Sequence, residues 1–128
     1  MSLPIPLPTD AELELLRMLW THGPSTVREI HERINRLKPT GYTTVLKLLQ
    51  IMAEKGLVFR DETHRAHLYH VQHPEADTQT RLVDQLLDRA FGGSAEKLVL
   101  RALSSKPASA EELRRIRAIL DRMEGEER

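Results

Sequence analysis

Residues 56–71, GLVFRDETHRAHLYHV, are the stretch of this 128-residue chain where the apolar pattern turns from helical to extended. Leu57, Val58 and Phe59 on one side and Leu68, Tyr69 and Val71 on the other are strand formers, with the polar run RDETHR between them. A two-stranded hairpin with a charged tip is the simplest structure for that pattern. Everything around it reads as helix, so the fold class is mostly α with one small β-hairpin.

Three helices come before the hairpin. Thr9 and Glu12 spell a capping box, in which hydroxyl and carboxylate each satisfy a free backbone N–H, and this predicts a helix over about 10–21. Leu13, Leu16 and Trp20 form its stripe, flanked by Leu15 and Leu19, until Gly23 and Pro24 end it. Thr26 and Glu29 repeat the box, and Val27, Ile30, Ile34 and Leu37 recur at helical spacing before Pro39 and Gly41, which gives a second helix over about 26–37. A third runs from Tyr42 to Lys55, where Gly56 suits a left-handed cap. Helix, helix, helix and hairpin in that order make a winged helix-turn-helix, with the hairpin as wing.

The remaining chain is helical again. His73 and Pro74 suit the start of a fourth helix with Val83, Leu86, Leu87, Ala90 and Phe91 on its apolar side. GGS at 92–94 separates it from a fifth helix over about 95–104. Ser109 and Glu112 form a third capping box ahead of the stripe Leu113, Ile116, Leu120 and Met123, and the tail EGEER is expected to fray. The division expected is a winged-helix DNA-binding domain at 1–73 and a three-helix dimerisation region at 74–128. Three short helices with apolar stripes bury them poorly alone, so a homodimer through Leu86, Leu87, Phe91, Leu98, Leu100, Leu103, Leu113, Ile116 and Leu120 is predicted. The alternative is that these helices fold back onto the first domain.

Charge and composition narrow the function. Nineteen basic and nineteen acidic residues cancel, which argues against nucleic-acid binding by bulk charge. Placement is uneven, however: from Ser25 to His73 there are eight Lys and Arg against five acids, and all six histidines precede Pro74. The absence of cysteine excludes disulfides, thiolate metal sites and cysteine nucleophiles. No apolar run approaches the roughly 20 residues of a membrane span, and MSLPIPLPTD lacks a basic leader region, so a soluble cytoplasmic protein without membrane insertion is expected. There is no glycine-rich phosphate loop and no nucleophile motif, Ser25 reading as part of a helix start; neither an enzyme nor a cofactor is expected. His64, His67, His70 and His73 recur every third residue and invite a metal reading, but side chains alternate along a strand, placing His67 and His70 on opposite faces, so no metal site is assigned. A gain of positive charge near DNA as the pH falls is the preferred role for them. Arg114, Arg115 and Arg117 read as a solvated face, with Glu111 and Asp121 at ion-pairing distance along the helix.

The third helix carries the functional signal. At 100° per residue Val45, Leu46, Leu48, Leu49 and Met52 fall within an arc of about 160°, the expected core face. Thr43, Lys47, Gln50 and Glu54 lie opposite, with Thr44 and Ile51 at the edge. Thr43 and Thr44 occupy the first turn, the part of a recognition helix that points at base edges. Threonine offers a hydroxyl and a methyl, Gln50 can pair with adenine, and Lys47 supplies charge. Any amphipathic helix has a polar face, and threonine near a helix start is often a local cap. It is the place of this helix, third before a hairpin, that points to DNA. The competing class is a protein-interaction module whose winged helix docks another protein without specific DNA binding.

At this point the sequence resembles the penicillinase repressor family, also called the BlaI/MecI family. PTDAELELLRMLW resembles its opening helix, GPSTVREIHERI its second, YTTVLKLLQIMAEKGLV its recognition helix and the start of its wing, and RAHLYHV the returning strand. LLDRAFGGSAEKLVLRAL and SAEELRRIRAIL resemble its dimerisation segment, so the likeness spans nearly the whole chain in order. The resemblance implies a dimeric repressor on a pseudo-palindromic operator, often in front of a β-lactamase or related resistance gene. It also implies a membrane-bound zinc metalloprotease sensor that relieves repression by causing cleavage within the dimerisation helices. Carried over, the DNA contacts are Thr43, Thr44 and Lys47, with Arg65, Arg60 and His67 from the wing. Leu46 departs from the family pattern, where a basic residue is common. Well-known members are cut between Asn and Phe after an LVL segment; here LVL is followed by Arg101 and Ala102, so the location matches and the residues differ. A copper-responsive branch uses a cysteine-rich hook, which this chain cannot form.

Overall fold

The computed structural model describes residues 4–126; residues 1–3 at the start and 127–128 at the end of the chain lie outside it. In chain order the elements are α1 (Asp10–His22), α2 (Val27–Leu37), α3 (Tyr42–Lys55), β1 (Val58–Asp61), β2 (Leu68–Val71), α4 (Glu75–Ala90), α5 (Ala95–Ser105) and α6 (Ala110–Glu126). The winged helix-turn-helix order is therefore present, followed by three helices.

Both early capping boxes form completely. The Thr9 hydroxyl accepts the Glu12 N–H at 3.3 Å while Glu12 Oε1 accepts the Thr9 N–H at 2.8 Å, and Thr26 and Glu29 do the same for α2. Glycine ends α3, since Gly56 takes φ +82°, where a side chain would be strained. Leu57 belongs to this turn rather than to the strand, because its N–H is held by the Met52 carbonyl at 2.9 Å. β1 and β2 then pair antiparallel, with Phe59 opposite His70 and Arg60 opposite Tyr69. A third extended segment joins them: Ser25 and Tyr69 exchange both backbone hydrogen bonds, at 3.2 and 2.8 Å, which ties the wing to the residue just before the α2 cap.

The core is built from Leu15, Leu16 and Leu19 of α1, Ile30 and Ile34 of α2, Val45, Leu49 and Met52 of α3, and Leu57, Val58 and Tyr69 of the hairpin. Each such burial is worth roughly 1.5–3 kcal/mol before conformational entropy is counted. The buried stripe of α1 is rotated from the expected one. Leu13 and Trp20 sit at its margin, and the position facing α3 is taken by Glu12, only 2% exposed, whose Oε1 also accepts Lys55 Nζ at 2.6 Å. A carboxylate is tolerated there because it is paired and hydrogen-bonded on both sides.

By compactness the chain forms two units, Met1–Asp84 and Gln85–Arg128, which meet inside α4. The first unit keeps the start of α4 because Thr78 is buried and Arg81 Nε donates to the Ile5 carbonyl at 3.0 Å. α4 begins at Glu75, with the Pro74 carbonyl accepting the N–H groups of Asp77 and Thr78. In the second unit Ser94 caps α5 by accepting the Lys97 N–H, and Ser109 accepts the Glu112 N–H at the start of α6. α6 is ordered helix as far as Glu126, so the first three residues of the tail expected to fray are helical; its last two lie outside the described residues. Among the described residues no helix is long and apolar enough to cross a membrane.

Candidate nucleic-acid interface

α3 is seated by Val45, Leu49 and Met52, none of them measurably exposed. Their burial points Thr43, Lys47 and Gln50 outward, with Glu54 beyond them, and all four are exposed. Thr44 is exposed too but lies on the flank of α3 away from the wing, lining a crevice with Ala11, Ile34 and Thr40. Leu46 and Leu48 are only half-buried, so the core face is narrower than the helical periodicity predicts. Leu46 instead forms part of the floor beside the wing.

That floor is a groove between the start of α2, the first turns of α3 and the wing. Thr26, Val27 and Arg28 line one side, Tyr42 and Leu46 the base, and Arg60, Arg65, Ala66, His67 and Tyr69 the other side. Among the described residues no carboxylate lines it, while three arginines do. The groove is thus shaped and charged for a polyanion strand running past the recognition helix. Arg28 and Tyr42 were not singled out from the sequence. The signal available was positional: Arg28 lies two residues past the Thr26 cap, and Tyr42 is the first residue of α3.

Local contacts hold this surface in shape. A carbonyl can only accept, so His31 Nε2 donates to the Thr40 carbonyl at 2.7 Å, bracing the turn between α2 and α3, and the His31 ring meets Tyr42 edge-on at 5.7 Å. At the wing tip Asp61 Oδ1 accepts both the hydroxyl and the N–H of Thr63, which holds its carboxyl below the ordinary carboxylate range. Phe59 and His70 stack across the strands at 4.9 Å. Arg28 is paired with Glu32 at 3.3 Å, and Arg60 with Glu62, whose carboxylate holds the guanidinium more firmly charged. Among the described residues Lys47 and Arg65 make no ion pair. Those two cations are available at no pairing cost.

The second unit has a different character. No described side chain from Gln85 onward is fully buried. Leu87, Phe91, Leu98, Leu103 and Ile116 are half-buried, whereas Leu86, Leu100, Leu113 and Leu120 are exposed, joined by Val99, Ile119 and Met123. Arg101 and Ala102 are exposed in the middle of α5, on helical backbone.

The family model described as penicillinase repressor matches residues 8–122. The transcriptional regulator BlaI of Mycobacterium tuberculosis is 33% identical over 115 residues, covering 88% of this chain and 83% of the relative. The penicillinase repressor of Bacillus licheniformis is 25% identical over 117 residues, 91% of each chain. Among solved structures, the B. licheniformis BlaI monomer in complex with the blaP half-operator superposes with a TM-score of 0.52 at 25% identity, covering 57% of this chain and 89% of that one. With the family model matching most of its length, the chain belongs to the penicillinase repressor family, whose members are transcriptional repressors and not enzymes.

Proposed function

We propose that this protein is a sequence-specific, DNA-binding transcriptional repressor that acts as a homodimer on a pseudo-palindromic operator. The observation that carries the reading is the exposed face of α3, with Thr43, Lys47 and Gln50, together with the groove beside it that Arg28, Arg60, Arg65 and His67 line. A solved relative that matches 57% of this chain is described in complex with a half-operator, which supports the same use here. In this reading Thr43, Thr44 and Gln50 read base edges, while Lys47, Arg65, Arg28 and Arg60 hold phosphates. Leu46 can make only apolar contact, so the wing carries charge that a basic residue there would have supplied.

Dimerisation through the second unit is supported by its unfinished burial, since helices that expose Leu86, Leu100, Leu113 and Leu120 gain most by covering them. Control of β-lactamase or other resistance genes is part of the proposal, in keeping with relatives named as penicillinase and methicillin resistance regulators. Relief by a membrane zinc metalloprotease sensor, with cleavage at Arg101–Ala102, completes it. Because that pair is helical, α5 must unwind locally before a protease can accept it.

The test is a fluorescence anisotropy titration with a duplex selected by this protein from a randomised pool. Lys47→Ala should weaken binding to selected and scrambled duplexes alike and reduce the salt slope by about one. A protein-docking module gives the opposite result: charge reversal at Lys47 and Arg65 leaves its repression activity intact.

A further inference from the structure

We propose that Tyr42 is a further DNA-contact residue, whose phenol hydroxyl donates to a backbone phosphate oxygen of the strand lying in the groove, and that His31 is the residue that positions its ring. The proposal rests on the DNA-binding reading above and lies wholly within the first unit. Tyr42 opens α3 and stands at the base of the groove with Leu46, 48% exposed. Around the helix it lies about 100° from Thr43 and about 140° from Lys47, so it belongs to the flank beside the wing and not to the outward face. A recognition helix presents its outward face to base edges, while residues on its flank meet the sugar-phosphate walls of the major groove.

The ring is held from α2. His31 Nε2 donates to the Thr40 carbonyl at 2.7 Å, and two further bonds fix the same residue: the Thr40 N–H donates to Asn35 Oδ1 at 2.9 Å and its hydroxyl to the Lys38 carbonyl at 2.9 Å. Thr40 is thereby bound through its N–H, its carbonyl and its hydroxyl, just ahead of Tyr42. With its own ring fixed by that bond, His31 meets the Tyr42 ring edge-on, the centroids 5.7 Å apart and the planes at 76°. Such a contact removes rotamer freedom that phosphate binding would otherwise have to freeze. The hydroxyl stands in a groove where Arg28, Arg60 and Arg65 already favour a phosphate.

A phenol hydroxyl donates without carrying charge. It adds affinity but displaces no counterion, so it leaves the salt dependence of binding alone, unlike an arginine or a lysine. It also meets a group common to every nucleotide and carries no sequence information. Those two properties separate Tyr42 from Lys47, which supplies charge, and from Thr43 and Gln50, which face bases. The test is fluorescence anisotropy of the full chain on the pool-selected duplex and on its scrambled counterpart across a salt series, with Tyr42→Phe, His31→Gln and the two combined. Phenylalanine keeps the ring and removes only the hydroxyl. Glutamine keeps an N–H for the Thr40 carbonyl and removes the ring that Tyr42 meets.

Tyr42→Phe should weaken binding to both duplexes by about fivefold with the salt slope unchanged. His31→Gln should cost about threefold in the natural background and nothing further beside Tyr42→Phe, because a ring without a hydroxyl has no donor to aim. The contact is overturned if Tyr42→Phe binds both duplexes as tightly as the natural protein. It is also overturned by a loss confined to the selected duplex, which places the hydroxyl on a base, or by a salt slope that falls by about one. Equal losses from His31→Gln in both backgrounds overturn its positioning role, since the residue then acts independently of the phenol. If the natural protein binds neither duplex, the DNA-binding reading itself fails and the contact with it.

Discussion

Leu100→Glu is expected to convert the protein to monomers at micromolar concentration and to weaken binding to a complete inverted repeat by about two orders of magnitude. Leu100 is 54% exposed on α5 and borders an apolar hollow with Val99, Leu103 and Leu120. Burying such a side chain contributes roughly 1.5–3 kcal/mol, and placing a carboxylate there instead adds the cost of an unpaired charge, on the order of several kcal/mol. Two-fold symmetry imposes the change twice in one interface. The sum exceeds what separates a micromolar from a millimolar dimer, about 4 kcal/mol. Each reading head survives, so affinity for one arm of the repeat should be unchanged while the gain from holding both arms is lost. Sedimentation equilibrium and anisotropy on the same samples check this, and a variant that stays dimeric would contradict the role given to the second unit.

Glu12→Ala is expected to lower the unfolding free energy by about 3 kcal/mol, measured by urea denaturation at neutral pH. One side chain here serves two structures: it closes the α1 capping box and accepts Lys55 from the last turn of α3. The Lys55 side chain is a third exposed, so its charge can be hydrated after the loss, and the full penalty of an orphaned buried ion does not apply. Acid should act on the same group. Burial alone would raise the Glu12 carboxyl, but hydrogen bonds from Lys55 and Thr9 together with the Lys55 charge outweigh it and hold it below its ordinary value of 4.5. A carboxyl depressed in the folded state contributes stability that is present above its unfolded pKa and lost as the pH falls through its folded one. The natural protein should therefore lose stability below about pH 4.5 more steeply than Glu12→Gln, which keeps an acceptor without a titrating charge. Parallel curves for the two would show that the pair does not govern the acid limb.

The local parts of this fold were legible in the sequence, and the long-range ones were not. Thr9 with Glu12 and Thr26 with Glu29 announce helix starts because a cap is settled within four residues. Gly56 and the apolar runs on either side of RDETHR likewise mark the end of α3 and the hairpin. The Glu12–Lys55 pair joins positions 43 apart, the Ser25–Tyr69 bridge joins the α1–α2 turn to the wing, and Arg81 reaches back to Ile5. No periodicity carries such pairings, since each depends on where two elements meet. Leu46 shows the same limit at the candidate site. Its spacing fits the core face of α3, yet the wing stands off far enough to leave it half-buried beside Arg60 and Arg65. Arg28 entered the site for the complementary reason, because the start of α2 faces the wing across the groove.

The central claim is that α3 and its groove read a specific DNA sequence. Its most direct test is the ratio of affinities of the intact protein for the pool-selected duplex and for a scrambled duplex of the same length and composition, measured at physiological salt. A specific repressor predicts a ratio of about a thousandfold or more. Equal affinity for the two duplexes would contradict the account.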